Sequence, residues 1–469
     1  MKTIIICCMF PFLLLTNNII GSEITEPITN VMNPPFSAIG NGTEDDTKKI
    51  QNAIDSCSQV YLPKGIYRIF GTLTLHDGVS LIGEDANETI LIQDGLVKGS
   101  SGLLFVDSQG PSKQISNITV KNLTLDGQVS RKKFSEFQHL VSFNGVKNVL
   151  IENVKFTGFR GDGLYLGSGT VLGEERHNAA VTIERCQFDG VNNDNRNAIS
   201  VIDVDGIHID ENSFRNCSKY GMPGAIDFEP NRSFFAIIQN IVINKNEFLN
   251  IGGSAGDVNF TLPAEMKLSV FNVSVTNNKA NGAFGDFFNF NGNKDLSAEK
   301  SSNKILLEKN SVESVFKPFS LISVRGVEIR ENQFVSCKGG CTIGYLNESK
   351  EIAENISIIN NKYLNCGLKT GRCLAVFNAK NLIIDDNRFI NCGSGEINKS
   401  CAIDFISGKS EAVIITNNNF EPINKKPFIA IKKEKEHVFN LDSNEFSGNN
   451  LNGLRTDFQY GNKIINNQH

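Results

Sequence analysis

Over roughly 320 residues the chain repeats one phrase: aliphatic residues alternating with polar ones, two polar positions that usually include Asn, then an aromatic one residue later. It reads IHIDENSF to Phe214, IVINKNEF to Phe248, VEIRENQF to Phe334, ISIINNKY to Tyr363, LIIDDNRF to Phe389, VIITNNNF to Phe420 and FNLDSNEF to Phe446. Looser copies end at Leu125, Phe156, Phe188, Ala280 and Val312, so successive copies lie 22 to 34 residues apart. A period in that range marks stacked structural units. The alternation predicts strands, too short and too closely spaced for helical hairpins. The expected architecture is an all-β, right-handed, single-stranded parallel β-helix of about twelve coils, about 4.8 Å apart, with Phe, Ile and Val stacked inside. Asn suits its corners, because it accepts the left-handed backbone and its amide can bond the equivalent Asn one coil away.

Such a rod needs its open end covered. Asp45, Asp46 and Thr47 can start a capping helix whose Ile50, Ala53, Ile54 and Cys57 share one face, before strand-like VYLP and a turn at Lys64 and Gly65. The whole stretch NGTEDDTKKIQNAIDSCSQVYLPKGIYRI, Asn41 to Ile69, resembles the opening segment of the pectate-lyase-superfamily β-helix proteins. That group includes pectin-degrading lyases and hydrolases, alginate epimerases and phage tailspikes, so the resemblance implies a fold and leaves the reaction open. Ahead of it, Lys2, the apolar run Ile4 to Leu15 and polar Thr16 to Asn18 have the form of a cleavable signal peptide over residues 1–22. The apolar run is short of the roughly 20 residues that a spanning helix needs. The expectation is an exported protein, secreted or periplasmic, without an integral membrane segment, whose residues 23–469 form one β-helix domain with its cap at 41–69.

Charge and composition narrow the ligand. Lys plus Arg number 46 against 51 Asp plus Glu, a net charge of −5, which gives no electrostatic footprint for nucleic acid. Trp is absent, and neutral polysaccharides are commonly gripped by stacking on Trp. A charged glycan held by Arg, Lys or Ca²⁺ is favoured. Cys217, Cys337, Cys366 and Cys392 each follow their aromatic by three residues, and Cys341, Cys373 and Cys401 each precede a strand, making two columns. Cys337 with Cys341, Cys366 with Cys373 and Cys392 with Cys401 are candidate disulfides in an exported chain. The alternative is a stack of reduced, buried thiols acting as small hydrophobes.

Functional side chains on a solenoid project outward. Alignment of the coils puts Tyr165, Ser200, Asp227, Asn259 and Asn289 in one outward column. Asp227 and Glu229, two apart on one strand, point the same way with backbones about 7 Å apart. Such a pair suits acid/base work on a glycosidic bond or Ca²⁺ binding to a uronate. Asp404, in CAIDF, occupies the same slot without a second acid. NNDNRNAISV, Asn192 to Val201, resembles a turn in alginate-epimerase catalytic modules, with Asn195 as an extra residue and the family's His-containing acidic motif absent. The resemblance implies that Arg196 neutralises a uronate carboxylate, acidifying the carbon-bound proton, with Tyr165 as proton donor. His177 follows Glu174, Glu175 and Arg176 in an insertion from which it can reach over the column, or form part of a solvated charge cluster. His139 precedes a strand one coil before Tyr165 and has no partner legible in the sequence. The leading expectation is a lyase, epimerase or hydrolase acting on an acidic polysaccharide. The alternative is a non-catalytic, exported glycan-binding or adhesive rod.

Overall fold

The computed structural model describes residues 28–95, 102–231, 235–263, 272–292, 304–345, 352–393, 400–422, 429–440, 444–452, 454–456 and 464–465. The signal-peptide segment lies outside them. The described chain winds as a parallel β-helix, each coil passing through three sheets. Sheet A holds the aliphatic strands, such as Ile238–Asn244, and has 17 strands. Sheet B holds the short strands that carry the aromatic, such as Glu247–Leu249, and sheet C those after the next loop, such as Gly224–Phe228. Sheets B and C have 14 strands each, more than the twelve coils expected. The additional coils include the first ones, where Tyr67 and Leu91 fill the aromatic's column without the Asn-containing phrase.

The repeated phrase works by division of labour. Glu211, Lys245, Asn277, Lys309, Glu331, Asn360, Asp386 and Asn417 turn the corner with φ between 51° and 60°, and the Asn that follows each is a different kind of residue. Asn212, Asn246, Asn278, Asn310, Asn332, Asn361, Asn387, Asn418 and Asn449 are at most 2% exposed. Each of the first eight donates its main-chain N–H and its Nδ2 to Oδ1 of the next, at 2.9–3.1 Å. The corner and the ladder therefore fall to two adjacent residues, whereas the sequence reading gave both tasks to one Asn. The ladder satisfies polar groups that burial inside the tube would otherwise penalise.

Inside, the aromatics stack from coil to coil, with ring centroids 4.3 Å apart for Phe156 and Phe188, 5.0 Å for Phe188 and Phe214, and 4.9 Å for Phe214 and Phe248. Ala280 and Val312 interrupt that column. Phe287 and Phe319, entering from sheet C, meet Phe248 and Phe334 edge-on at either side of the gap. The cap is the helix Thr47–Ser56, burying Ile50, Ala53 and Ile54. Its N-cap residue Asp46 makes no side-chain cap bond; its carboxylate accepts from the N–H groups of Ile39 and Gly40 instead.

All nine described cysteines are free, so the expected pairs Cys337–Cys341, Cys366–Cys373 and Cys392–Cys401 are not bonded. The first column holds, since Phe334, Tyr363 and Phe389 pair in register ahead of Cys337, Cys366 and Cys392. The second does not: Cys341 pairs with Leu374 and Cys401 with Arg372. The thiols lie in the packed interior and find main-chain acceptors one coil away. Cys217 reaches Phe188 O at 3.6 Å, Cys366 reaches Phe334 O at 3.4 Å, and Cys392 reaches Tyr363 O at 3.7 Å. Cys366 also hydrogen-bonds with Cys337 on the preceding coil and with Cys373. The thiols serve as small core residues with weak hydrogen bonds.

Candidate functional site

A cleft of about 730 Å³ opens over the outer face of sheet C, lined by Glu136, Phe137, His139, Tyr165, Arg196 and Glu229 and by the turns at 230–231 and 261–263. Its centre is built on Asp162, fully buried two residues ahead of the strand Leu164–Gly167. Arg196 Nη1 donates to both Asp162 oxygens, at 3.0 and 3.2 Å, and to Ser200 Oγ at 2.9 Å. Glu136 lies 3.9 Å from Arg196 Nε. Burial pushes the Asp162 pKa up, but His139 and the guanidinium outweigh it and hold the carboxyl below its usual value. Burial likewise pulls Arg196 down, and Asp162, then Asp227, and Glu229 raise it. A cation thus stands fixed and permanently charged at the cleft.

Beside it the His139 ring stacks on Tyr165. The Asp162 N–H donates to His139 Nδ1 at 3.0 Å, and Asp162 Oδ2 lies 3.2 Å from the same nitrogen. One ring nitrogen therefore meets a donor and an acceptor together. With Nδ1 accepting from the N–H, Nε2 carries the proton; with Nδ1 donating to Oδ2, Nε2 becomes a base. No described residue hydrogen-bonds Nε2. Tyr165 has its pKa raised by burial and by the Asp162 charge, so its phenol stays protonated and is a proton donor.

The outward column is continuous but plays a different part from the one its residue types suggest. Asp227 is 1% exposed. Asn197 Nδ2 donates to its Oδ2 at 3.2 Å and Asn259 Nδ2 to its Oδ1 at 2.7 Å. Asn289 Nδ2 then reaches Asn259 Oδ1 at 2.6 Å. Burial, with the charge of Glu229, raises Asp227 to about 7. Each of its oxygens accepts from an amide, and of the expected pair only Glu229 lines the cleft. Among the described residues no three His, Cys, Asp or Glu groups converge as a metal site. Ser200 is likewise buried and holds Arg196.

His177 does not reach over the column. Its Nδ1 lies 2.8 and 3.0 Å from the carboxylate of buried Asp203 and its Nε2 3.1 Å from Glu175, which ties the insertion down at its end. Burial pulls its pKa down, and Asp203 and Glu175 more than restore it. His139, Asp162, Glu136 and Asn197 were not foreseen as site residues. Register carries the signal for two of them: Leu164 pairs with Ile199, so Asp162 and Asn197, each two residues earlier, share one column.

Residues 28–223 match the family model "Rhamnogalacturonase A/epimerase, pectate lyase-like". Over that stretch the chain is similar to pectate-lyase-like proteins, and the parallel β-helix agrees with the likeness. Mannuronan C5-epimerase AlgE1 of Azotobacter vinelandii is 34% identical over 105 residues, which are 20% of this chain and 7% of that protein. The plasmin and fibronectin-binding protein A of Streptococcus pneumoniae is 24% identical over 198 residues, 31% of this chain and 26% of that one. The chain thus aligns with only a small part of these relatives. The solved structure of pre-mature bacteriophage phi29 gene product 12 superposes with a TM-score of 0.55 at 15% identity, covering 88% of this chain and 55% of that chain, a likeness of fold.

Proposed function

We propose that the protein acts on a uronate-containing polysaccharide, removing the proton on the carbon that bears the carboxylate, as a lyase or an epimerase does. The observation that carries this is Arg196, fixed by Asp162 and Ser200 beside the His139–Tyr165 stack. The guanidinium takes the uronate carboxylate as a bidentate partner and stabilises the negative charge that spreads onto it as the carbon-bound proton leaves. His139 Nε2, in the form with Nδ1–H donating to Asp162 Oδ2, accepts that proton. Tyr165, on the same wall, donates a proton to the oxygen that departs in lysis. Asp227 is a positioning residue in this scheme, not the acid of a hydrolase. The signal-peptide form of the first 22 residues supports an exported protein.

A second reading rests on the match to the plasmin and fibronectin-binding protein: a surface-binding rod that holds glycan or protein without turning it over. Incubation with polymannuronate and polygalacturonate in D₂O separates the readings. Deuterium on the uronate carbon or an absorbing unsaturated uronate supports proton abstraction. New reducing ends with neither signal, or no product from either polymer, discards it.

A further inference from the structure

Four coils beyond the cleft, the same face carries a second cation, carboxylate and hydroxyl, the acid and the hydroxyl in the same columns and the cation one residue further along, in the slot of Asn197. The column of Asp162 and Asn197 continues through Gly224 and Gly256 to Asp286 and Lys317. The column of Ser200 continues through Asp227, Asn259 and Asn289 to Ser320. In both places the acid sits on one coil and the cation and serine on the next: Asp162 with Arg196 and Ser200, Asp286 with Lys317 and Ser320.

The contacts are similar, with the serine standing between the cation and the acid. Lys317 Nζ donates to Ser320 Oγ at 3.2 Å and to Thr342 Oγ1 at 3.2 Å, and Ser320 Oγ donates to Asp286 Oδ2 at 2.5 Å. Asp286 and Ser320 are buried while Lys317 is half-buried, so the acid is internal and the cation reaches solvent. Burial raises Asp286 to about 6, with Lys317 opposing. What the second place lacks is the chemistry: the slot of Tyr165 is Asn289 on the Asp286 coil. Between the two clusters the outer face is floored by the linked side chains of Asp227, Asn259 and Asn289.

We propose that Lys317, held by Ser320 and Thr342, is a second carboxylate-binding subsite for the same acidic polysaccharide, so that the glycan lies lengthwise along sheet C from the Arg196 cleft toward the later coils. This rests on the uronate reading of the cleft. Four coil spacings of about 4.8 Å put the two clusters about 19 Å apart, so a polymer engages both and a short oligomer only one. The gain from the second contact is that of a tethered site, without any change at the reacting carbon.

The test is calorimetric binding of polymannuronate, polygalacturonate and a uronate trisaccharide too short to bridge about 19 Å, using the full chain and its Lys317→Gln, Lys317→Arg and Arg196→Gln variants. Loss of one charge-assisted contact predicts that Lys317→Gln weakens polymer binding about tenfold and leaves the trisaccharide unchanged. Lys317→Arg restores the polymer, and Arg196→Gln weakens both ligands. An unaltered unfolding midpoint certifies the two Lys317 variants, and Arg196→Gln, which strips buried Asp162 of its partner, is measured well below its lowered midpoint. Polymer binding by Lys317→Gln equal to that of wild type overturns the subsite, as does an equal loss on the trisaccharide. Lys317-dependent binding without turnover supports the subsite while discarding the reaction.

Discussion

The imidazole of His139 lies flat on the phenol of Tyr165, ring centroids 4.9 Å apart and planes 8° from parallel. The stack comes from adjacent coils and brings two proton-carrying groups to one wall of the cleft, next to a fixed cation. Tyr165→Phe keeps the ring and the stack and removes only the hydroxyl. Its turnover should fall about 10²- to 10⁴-fold, the usual worth of a positioned acid or base, with an unchanged unfolding midpoint. A variant as active as wild type removes Tyr165 from the reaction.

Asp162→Asn tests the support beneath that wall. It leaves the Arg196 guanidinium, 17% exposed at its side chain, without its buried counter-ion, which costs about 3–5 kcal/mol when one member of a buried pair is removed. Chemical denaturation reads that loss. Turnover by any residual folded protein should also fall, because Nδ1 of His139 loses its charged acceptor.

Asp257 is a buried acid that the site does not use. It is fully buried, neither of its oxygens has a hydrogen-bond partner, and burial, together with Asp286, raises its pKa well above 3.8. The native core holds it protonated, so its contribution to stability is full below pH 3.8 and is lost as pH rises toward the raised native value. Asp257→Leu should therefore stabilise the rod more at pH 8 than at pH 5, by about 1–3 kcal/mol at the higher pH. Thermal midpoints at both pH values measure it; equal shifts at the two would contradict the argument.

Removing one rung of the asparagine ladder strands its neighbour. In Asn332→Ala the N–H and Nδ2 of Asn310 and the carbonyl of Leu307 lose their partner. Each unsatisfied buried group costs about 1–3 kcal/mol, so this single surface-silent change should lower the denaturation midpoint more than any exposed Asn→Ala substitution.

The thiols offer a rapid check on the core. Eight of the nine described cysteines are buried and Cys57 is half-buried. Burial raises the pKa of Cys186 to about 12 and pushes Cys217 up, which suppresses the reactive thiolate. A thiol reagent should find at most Cys57 in the native protein. It should find all nine described cysteines after denaturation without reductant; a deficit there would point to disulfides.

Periodic features were legible because the tube imposes them on every coil: the Asn–Phe phrase, the cysteines that follow its aromatic and the outward column from Tyr165 to Asn289 all follow from repetition, whereas Cys341, Cys373 and Cys401 stand after loops of unequal length and fall out of register. The site was less so, because its parts occur once. Asp162, in GFRGDGLYL, looks like a turn residue until its register with Asn197 is known. His139 gains a partner only through the coil above it. Asp227 failed as a guide for the converse reason: an acid in an outward slot looks exposed in sequence, and only the amides of Asn197 and Asn259 reveal it as an internal spacer.

Because every rung of the ladder offers the same donors upward and the same acceptor downward, the ladder itself is indifferent to how many turns it joins. The distance between Arg196 and Lys317 is then quantised in steps of one turn, about 4.8 Å. Any two side-chain clusters on such a rod are therefore spaced in whole notches along its axis.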